Sequence, residues 1–313
     1  MAKTFAHTSW NDYTVRVAWD LGNACNLNCS YCPTNTKSGE FANPGWNTVE
    51  AFALRMIEHY AGLGRIPDIS FGASGEPTTV EWFPNLLRLL HNRVAHLAVS
   101  TNLTAPVEWW QANASLIHHV IGTVHYEYTS LRELYTTIEQ TAQLARSISL
   151  QVPMLPGHFD QQMADIEWFE ARTNIRPMPI PLLLNLYSGG RWIDYTAEQK
   201  QQLDSWHRIP SYNIEDDSSY QVQHSDSPVQ SLTFMDVALS EQDGDRVFTG
   251  WQCYAGIDTL IIDSRGWIRN GWCPQHTMNQ QHMSDWTGIS QPNTCNMAWC
   301  RHHHDLLARK ISG

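Results

Sequence analysis

The chain has 313 residues, 42% of them hydrophobic, with a formal net charge of −11 and a pI near 5.7. That is apolar enough for a sizeable core and excludes wholesale disorder, while an acidic surface repels phosphate backbones and makes nucleic acid a poor partner. No apolar leader-like run opens the sequence and no stretch reaches about 18 apolar residues, so it reads as a cytoplasmic protein without a membrane span.

β-rich runs alternate with helix-like segments along the first two thirds of the chain. Residues 15–20 are a predicted strand, and residues 48–62 a predicted helix with Ala51, Leu54, Ile57 and Ala61 as its apolar stripe. Strand 68–71 and helix 80–90 follow, then strand 96–100 with helix 107–116, and strand 120–124 with helix 131–145. Strand 149–154 pairs with helix 163–172, and strand 180–186 with helix 196–206. Strands alternating with helices imply an α/β fold with a parallel sheet, open or curled into a partial barrel. Residues 211–250 are polar, rich in Asp, Ser and Gln, and read as a connecting or substrate-covering segment. Beyond them, runs 259–263 and 267–271 flank Ser264-Arg265-Gly266, a hairpin signal with Gly266 supplying the turn. The organisation is therefore a (β/α)6 core over residues 1–210, the segment 211–250, and a small cysteine-rich unit over 251–313.

The seven cysteines are an odd number, which argues against a disulfide framework, and reduced thiols of this kind are available to a metal. Cys25, Cys29 and Cys32 lie together in Asn23-Ala24-Cys25-Asn26-Leu27-Asn28-Cys29-Ser30-Tyr31-Cys32-Pro33, directly after the first strand. A [4Fe–4S] cluster normally takes four cysteines, so three leave one iron for an outside ligand. Half of a zinc site and unliganded cysteines are the competing readings. In parallel sheets chemistry gathers at the carboxyl ends of strands. There the cysteine loop would meet residues 72–78, Thr101-Asn102 and residues 125–128.

The spacing Cys-x3-Cys-x-aromatic-Cys, with Tyr31 in the aromatic slot, resembles the signature of the radical S-adenosylmethionine (SAM) superfamily. Ser74-Gly75-Glu76-Pro77 resembles that family's Gly-Gly-Glu-Pro motif, with Ser74 where a Gly is usual. Ser100-Thr101-Asn102 resembles a Thr-Asn found near the ribose and methionine carboxylate, with Leu103 where a Gly commonly follows. The resemblance implies a partial (β/α)6 barrel and a SAM-binding [4Fe–4S] cluster on Cys25, Cys29 and Cys32. It also implies cofactor contacts from Tyr31, Ser74, Gly75, Glu76, Thr101, Asn102 and His125, with Glu76 at the methionine amino group. For His125 a solvated loop residue is the alternative.

Cys253, Cys273, Cys295 and Cys300 form a second set. The hairpin returns the chain to its start and can bring Cys253 near Cys273. Four thiolates suit a second [4Fe–4S] cluster or a structural zinc. The layout resembles the C-terminal SPASM and twitch domains of radical SAM enzymes, with too few cysteines for the full SPASM pattern. His302, His303 and His304 follow and are an alternative source of a ligand. The resemblance implies reductive cleavage of SAM to a 5′-deoxyadenosyl radical that abstracts a hydrogen from substrate, with flavodoxin or ferredoxin as a reducing partner. An auxiliary cluster suits oxidation of a peptide; a small-molecule dehydrogenase or carbon-skeleton enzyme is the alternative. A non-catalytic iron–sulfur or zinc protein is the reading from another class. Trp109, Trp110, Trp251, Trp267, Trp272 and Trp299 either line a broad peptide cleft or pack as ordinary core.

Overall fold

A computed structural model describes residues 4–7, 12–41, 43–72, 74–184, 191–192, 194–207, 220–223, 230–232, 247–273, 275, 280–298, 300 and 303–313. Strand β1 (Thr4–His7) comes first, then β2 (Thr14–Trp19) and helix α1 (Trp46–Gly62). The β/α alternation continues with β3 (Ile66–Phe71), α2 (Phe83–Leu90), β4 (His96–Thr101) and α3 (Val107–Asn113). Next come β5 (His119–Thr123), α4 (Tyr135–Leu144), β6 (Ser147–Met154) and α5 (Phe159–Glu170). Strands β7 (Met178–Pro181), β8 (Leu183–Leu184) and β9 (Arg191–Trp192) precede α6 (Ala197–His207). The rest holds β10 (Tyr220–Gln223), β11 (Gln230–Leu232), β12 (Gln252–Cys253), β13 (Thr259–Ile262) and β14 (Trp267–Arg269). It ends with β15 (Gln281–His282), β16 (Asn293–Thr294), the short helix α7 (His303–Leu307) and β17 (Lys310–Ile311).

Strands β2 to β7 are parallel and lie side by side in chain order. Parallel crossovers are right-handed, so an unreversed order sends every connecting helix to the same face of the sheet. The alternation of burial follows from this. Val15, Val17, Trp19, Ile69, Phe71, Leu97 and Val99 face the helix layer and are almost fully buried. The other face carries Ala18, Asp20, Ser70, Ser100, Thr123 and Gln151, half-buried or exposed. Parallel sheets usually have both faces covered, so a polar, accessible face is where a ligand belongs.

The six predicted strands of the core are present with shifted ends. The last, at 180–186, is split between β7 and β8, and its final residues fall outside the described ones. Helix α1 corrects an expectation. Its buried face is Val49, Phe52, Ala53, Met56 and Tyr60, whereas Leu54 of the predicted stripe is 39% exposed. Two apolar stripes compete on this helix, and the one with Phe, Met and Tyr removes more apolar area from water. Trp19 meets Phe52 edge-on at 5.4 Å, which fixes that choice.

The predicted hairpin is present as antiparallel β13 and β14, turning through Gly266 at φ 80°. Its position was not anticipated: β13 pairs in parallel with β2, so the hairpin extends the core sheet on its other edge. All four β13 residues are buried, as befits an interior strand of the sheet, parallel to β2 and antiparallel to β14. A second, antiparallel sheet has the order β11-β10-β1-β17-β12-β16, so the first and last strands are neighbours. The proposed covering segment 211–250 lies mostly outside the described residues. Among the described residues no helix is long and apolar enough to cross a membrane.

Candidate functional site

The chain after β2 forms the cysteine loop, with Cys29 buried and Cys25 and Cys32 half-buried. Asn23 is wholly buried and closes the loop like a clasp. Its amide donates to the Asn35 carbonyl at 3.1 Å and to Ser38 Oγ at 3.0 Å, and its oxygen accepts from the Phe41 N–H at 3.0 Å. Lys37 Nζ donates to the Cys29 carbonyl. The thiols already have donors beside them: the Leu27 N–H lies 3.4 Å from Cys25 Sγ, and Asn102 Nδ2 lies 3.9 Å from it. Thr36 Oγ1 lies 3.1 Å from Cys32 Sγ.

The loops after β3, β4 and β5 converge on this one, as expected. Gly75 packs so closely on the cysteine loop that a Cβ there would sit 2.7 Å from the Ala24 carbonyl. Its φ of 67° also favours glycine. The Glu76 N–H donates to that same carbonyl at 2.8 Å. Glu76 is held by the chain itself. Its carboxylate is 2% exposed and accepts from the Thr78 N–H (3.1 Å) and hydroxyl (2.7 Å), from Thr101 Oγ1 (2.8 Å) and from the Asn102 N–H (2.7 Å). Four chain donors engage the group, so it braces the β3 and β4 loops against each other. Asn102 Nδ2 reaches Asn26 Oδ1 at 2.8 Å, tying the β4 loop to the cysteine loop. Leu103, where a Gly is common in the resembled family, has φ 61°. This left-handed conformation costs a β-carbon residue about 1–2 kcal/mol. The side chain, wholly buried over Gly122 and Leu150, offsets the cost by apolar burial.

After β5, Tyr128 Oη accepts from the Asn28 N–H at 3.0 Å, and Glu127 accepts from the Ser30 N–H at 2.6 Å and from the Ser30 hydroxyl. His125 stacks on Tyr31 with centroids 6.0 Å apart. Its Nδ1 lies 2.5 Å from Tyr31 Oη and 3.4 Å from Cys29 Sγ. His125 is therefore a built part of the site. Burial pushes its pKa down to about 4, against the pull of Glu127, so the ring is neutral near pH 7. Burial raises the Cys25 and Cys29 thiols, and the three cysteines add to this by facing one another. A cavity beside the loop is lined by Leu21, Gly22, Ala24, Ser74, Glu76 and Thr79.

The second cysteine set sits where the two sheets meet. Cys253 lies opposite Asn293 on one side and Lys310 on the other. Cys300 packs with Phe5, Phe248 and Leu306, with Cys295 against the same cluster. Burial pushes the Cys300 thiol up to about 12; Lys310 opposes this, while Asp305, Cys253 and Cys273 add to it. Cys295 faces Cys253. The four thiols thus occupy one neighbourhood, although among the described residues no three His, Cys, Asp or Glu side chains converge on a single-ion position. His302 lies outside the described residues.

Residues 19–166 match the family profile described as Radical SAM superfamily. Those residues are therefore similar to a radical SAM domain. A structure described as native anSMEcpe with bound AdoMet shares its fold at a TM-score of 0.56 and 13% identity, covering 88% of this chain and 79% of that one. Streptococcus suis SuiB bound to S-adenosylmethionine gives a TM-score of 0.53 at 13% identity over 83% of this chain and 60% of SuiB. SuiB bound to its precursor peptide SuiA gives 0.51 at 11% identity, over 88% of this chain and 65% of SuiB. These are likenesses of fold. Comparison with curated proteins found no match.

Three residues around the two cysteine sets were missed by sequence reasoning. Asn23 and Lys310 act through contacts that no local motif announces. Asp20, on the accessible face where β2 ends, is raised to about 8 by burial and by Asp263 beside it. Its place, last before the cysteine loop, was the available signal. Of the six tryptophans, Trp110 is fully buried and Trp109 packs on Phe83 at 6.3 Å, while Trp299 lies outside the described residues.

Proposed function

We propose that this chain is a radical SAM enzyme whose sheet curls into a partial (β/α)6 barrel and whose substrate is a peptide, modified by oxidation or epimerisation. The observation that carries the reading is the cysteine loop, three thiols within eight residues held by the loops of β3, β4 and β5. Cys25, Cys29 and Cys32 would hold a [4Fe–4S] cluster, and the residues fit it: three thiols on one loop, two donors already aimed at Cys25, and one coordination place left open. When bound, that cluster supplies an electron for reductive cleavage of SAM, and the resulting radical abstracts a hydrogen.

The chain's own residues do the positioning. Tyr31 and His125 form a neutral, stacked wall beside Cys29, suited to an aromatic base. Ser74 lines the cavity, and Gly75 lets the loop approach the cysteines. Glu76, through Thr101 and Asn102, fixes the spacing between the β3 and β4 loops. Cys253, Cys273, Cys295 and Cys300 would hold a second [4Fe–4S] cluster that accepts the electron left on an oxidised substrate. Zinc is the alternative occupant. A flavodoxin or ferredoxin is the reducing partner proposed, and the peptide-bound relatives of the same fold support a peptide substrate over a small molecule.

Anaerobic reconstitution is expected to give about eight irons per chain, and the Cys25→Ala, Cys29→Ala, Cys32→Ala protein about four. With dithionite, the reconstituted protein is expected to release 5′-deoxyadenosine from SAM, and the triple variant none. Zinc uptake with no iron in either protein would falsify the reading.

A further inference from the structure

Lys310 is 1% exposed. It lies on β17 between β1 and β12, paired to Phe5 on one side and Cys253 on the other. Its ammonium donates to the Ala308 carbonyl at 2.6 Å and to the Asp305 carbonyl. Phe248 presents its ring 5.7 Å from Nζ. Among the described residues, no carboxylate oxygen stands within ion-pair distance of it.

Two carbonyl dipoles and a ring face do not neutralise a full charge out of water, and an uncompensated buried ion costs several kcal/mol. The surrounding groups show where the balancing charge arises. Cys253 is its partner across the β12–β17 pairing, and Phe248, whose ring faces Nζ, packs in one cluster with Cys300. Four thiolates outweigh the positive charge of a cubane core in either oxidation state, and one-electron reduction adds a further negative charge. A cation locked beside such a group stabilises the reduced form more than the oxidised form.

We infer that Lys310 is the built-in countercation of the four-cysteine site and raises the reduction potential of the cluster held there. The inference rests on the reading of Cys253, Cys273, Cys295 and Cys300 as ligands of a second cluster. It gives that site a direction: a cluster whose reduced form is favoured takes electrons more readily. Lys310 is a positioning residue in this sense, since it acts through the cluster and not on substrate. The alternative is a purely structural lysine that ties the last turn of the chain through the Asp305 and Ala308 carbonyls.

The test uses full-length protein carrying Cys25→Ala, Cys29→Ala and Cys32→Ala, reconstituted with iron and sulfide, so that one cluster remains. Its midpoint potential is read by redox titration followed by electron paramagnetic resonance, beside iron content and circular dichroism. Lys310→Met is expected to lower the potential. Lys310→Arg and Lys310→Gln both keep donors for the two carbonyls, and only Arg keeps the charge. Arg is therefore expected to hold the wild-type potential, and Gln to lose it as Met does. Equal potentials in the Arg and Gln proteins overturn the inference, whether or not the Met protein folds. Zinc in the site of the parent protein removes both this inference and the second-cluster reading. Iron uptake with equal potentials removes the inference alone.

Discussion

At the scale of single residues, Asp20 links the site to pH. It follows β2 as Asp263 follows β13, and these two strands are parallel neighbours. Asp263 is paired with Arg269 at 2.9 Å and Arg265 at 3.4 Å. Burial and the charge of Asp263 raise Asp20 from 3.8 to about 8. The folded chain therefore holds this proton over a range where the unfolded chain has lost it. Stability from this group is fully present below the unfolded pKa and is lost as pH rises through about 8. Asn cannot ionise, so Asp20→Asn is expected to flatten the fall in unfolding midpoint between pH 5 and pH 8 and to exceed wild type at the upper end. A chain of this size gains about 1.5 °C for each kcal/mol regained. Parallel midpoint curves for the two proteins would remove Asp20 as the cause.

Glu76 and Leu103 teach a related lesson. The motif that carries Glu76 is readable, but its carboxylate spends its lone pairs on Thr78, Thr101 and Asn102. At Leu103 the backbone keeps a conformation that suits glycine, and the side chain compensates by packing on Gly122 and Leu150.

At the scale of elements, α1 decides how the sheet meets its helix layer. Met56 is fully buried, while Leu54 is 39% exposed. Met56→Ala is therefore expected to cost about 2–5 kcal/mol in denaturant unfolding. Leu54→Ala is expected to stay within about 0.5 kcal/mol of wild type. Equal losses would mean that the helix is rotated from the face described. The hairpin of β13 and β14 is the other decisive element. Its Gly266 stands at φ 80°, with a substituted Cβ 2.8 Å from Pro44 Cγ, so the turn also packs against the segment leading into α1.

At the scale of the whole molecule, the two ends of the chain are joined. β1 pairs with β10 and β17, and β2 pairs with β13. A buried ion pair adds to the link: Arg65, before β3, meets Asp258, before β13, at 3.1 Å, and Arg309 meets the same carboxylate at 3.2 Å. A fragment ending at residue 210 would expose the β2 edge and leave β1 without partners. That fragment is expected to aggregate on expression, while the full chain stays monodisperse in size-exclusion chromatography. A soluble fragment with a cooperative unfolding transition would show that residues 1–210 fold independently.

The cysteine loop, the β/α alternation of the core and the Gly266 turn were legible in residue order, because each depends on spacing within a few neighbouring residues. A strand's period, a turn's need for glycine and three thiols on one loop are local facts. The rest depends on residues far apart in the chain. Which stripe of α1 is buried depended on Trp19, and two of the donors that engage Glu76, Thr101 and Asn102, come from the end of the next strand. The place of β13 beside β2, and of Lys310 beside Cys253, follows from pairing across more than 50 residues of chain. Strand edges carry the same backbone donors and acceptors whatever their sequence, so the partner is chosen by the packing of the assembled fold.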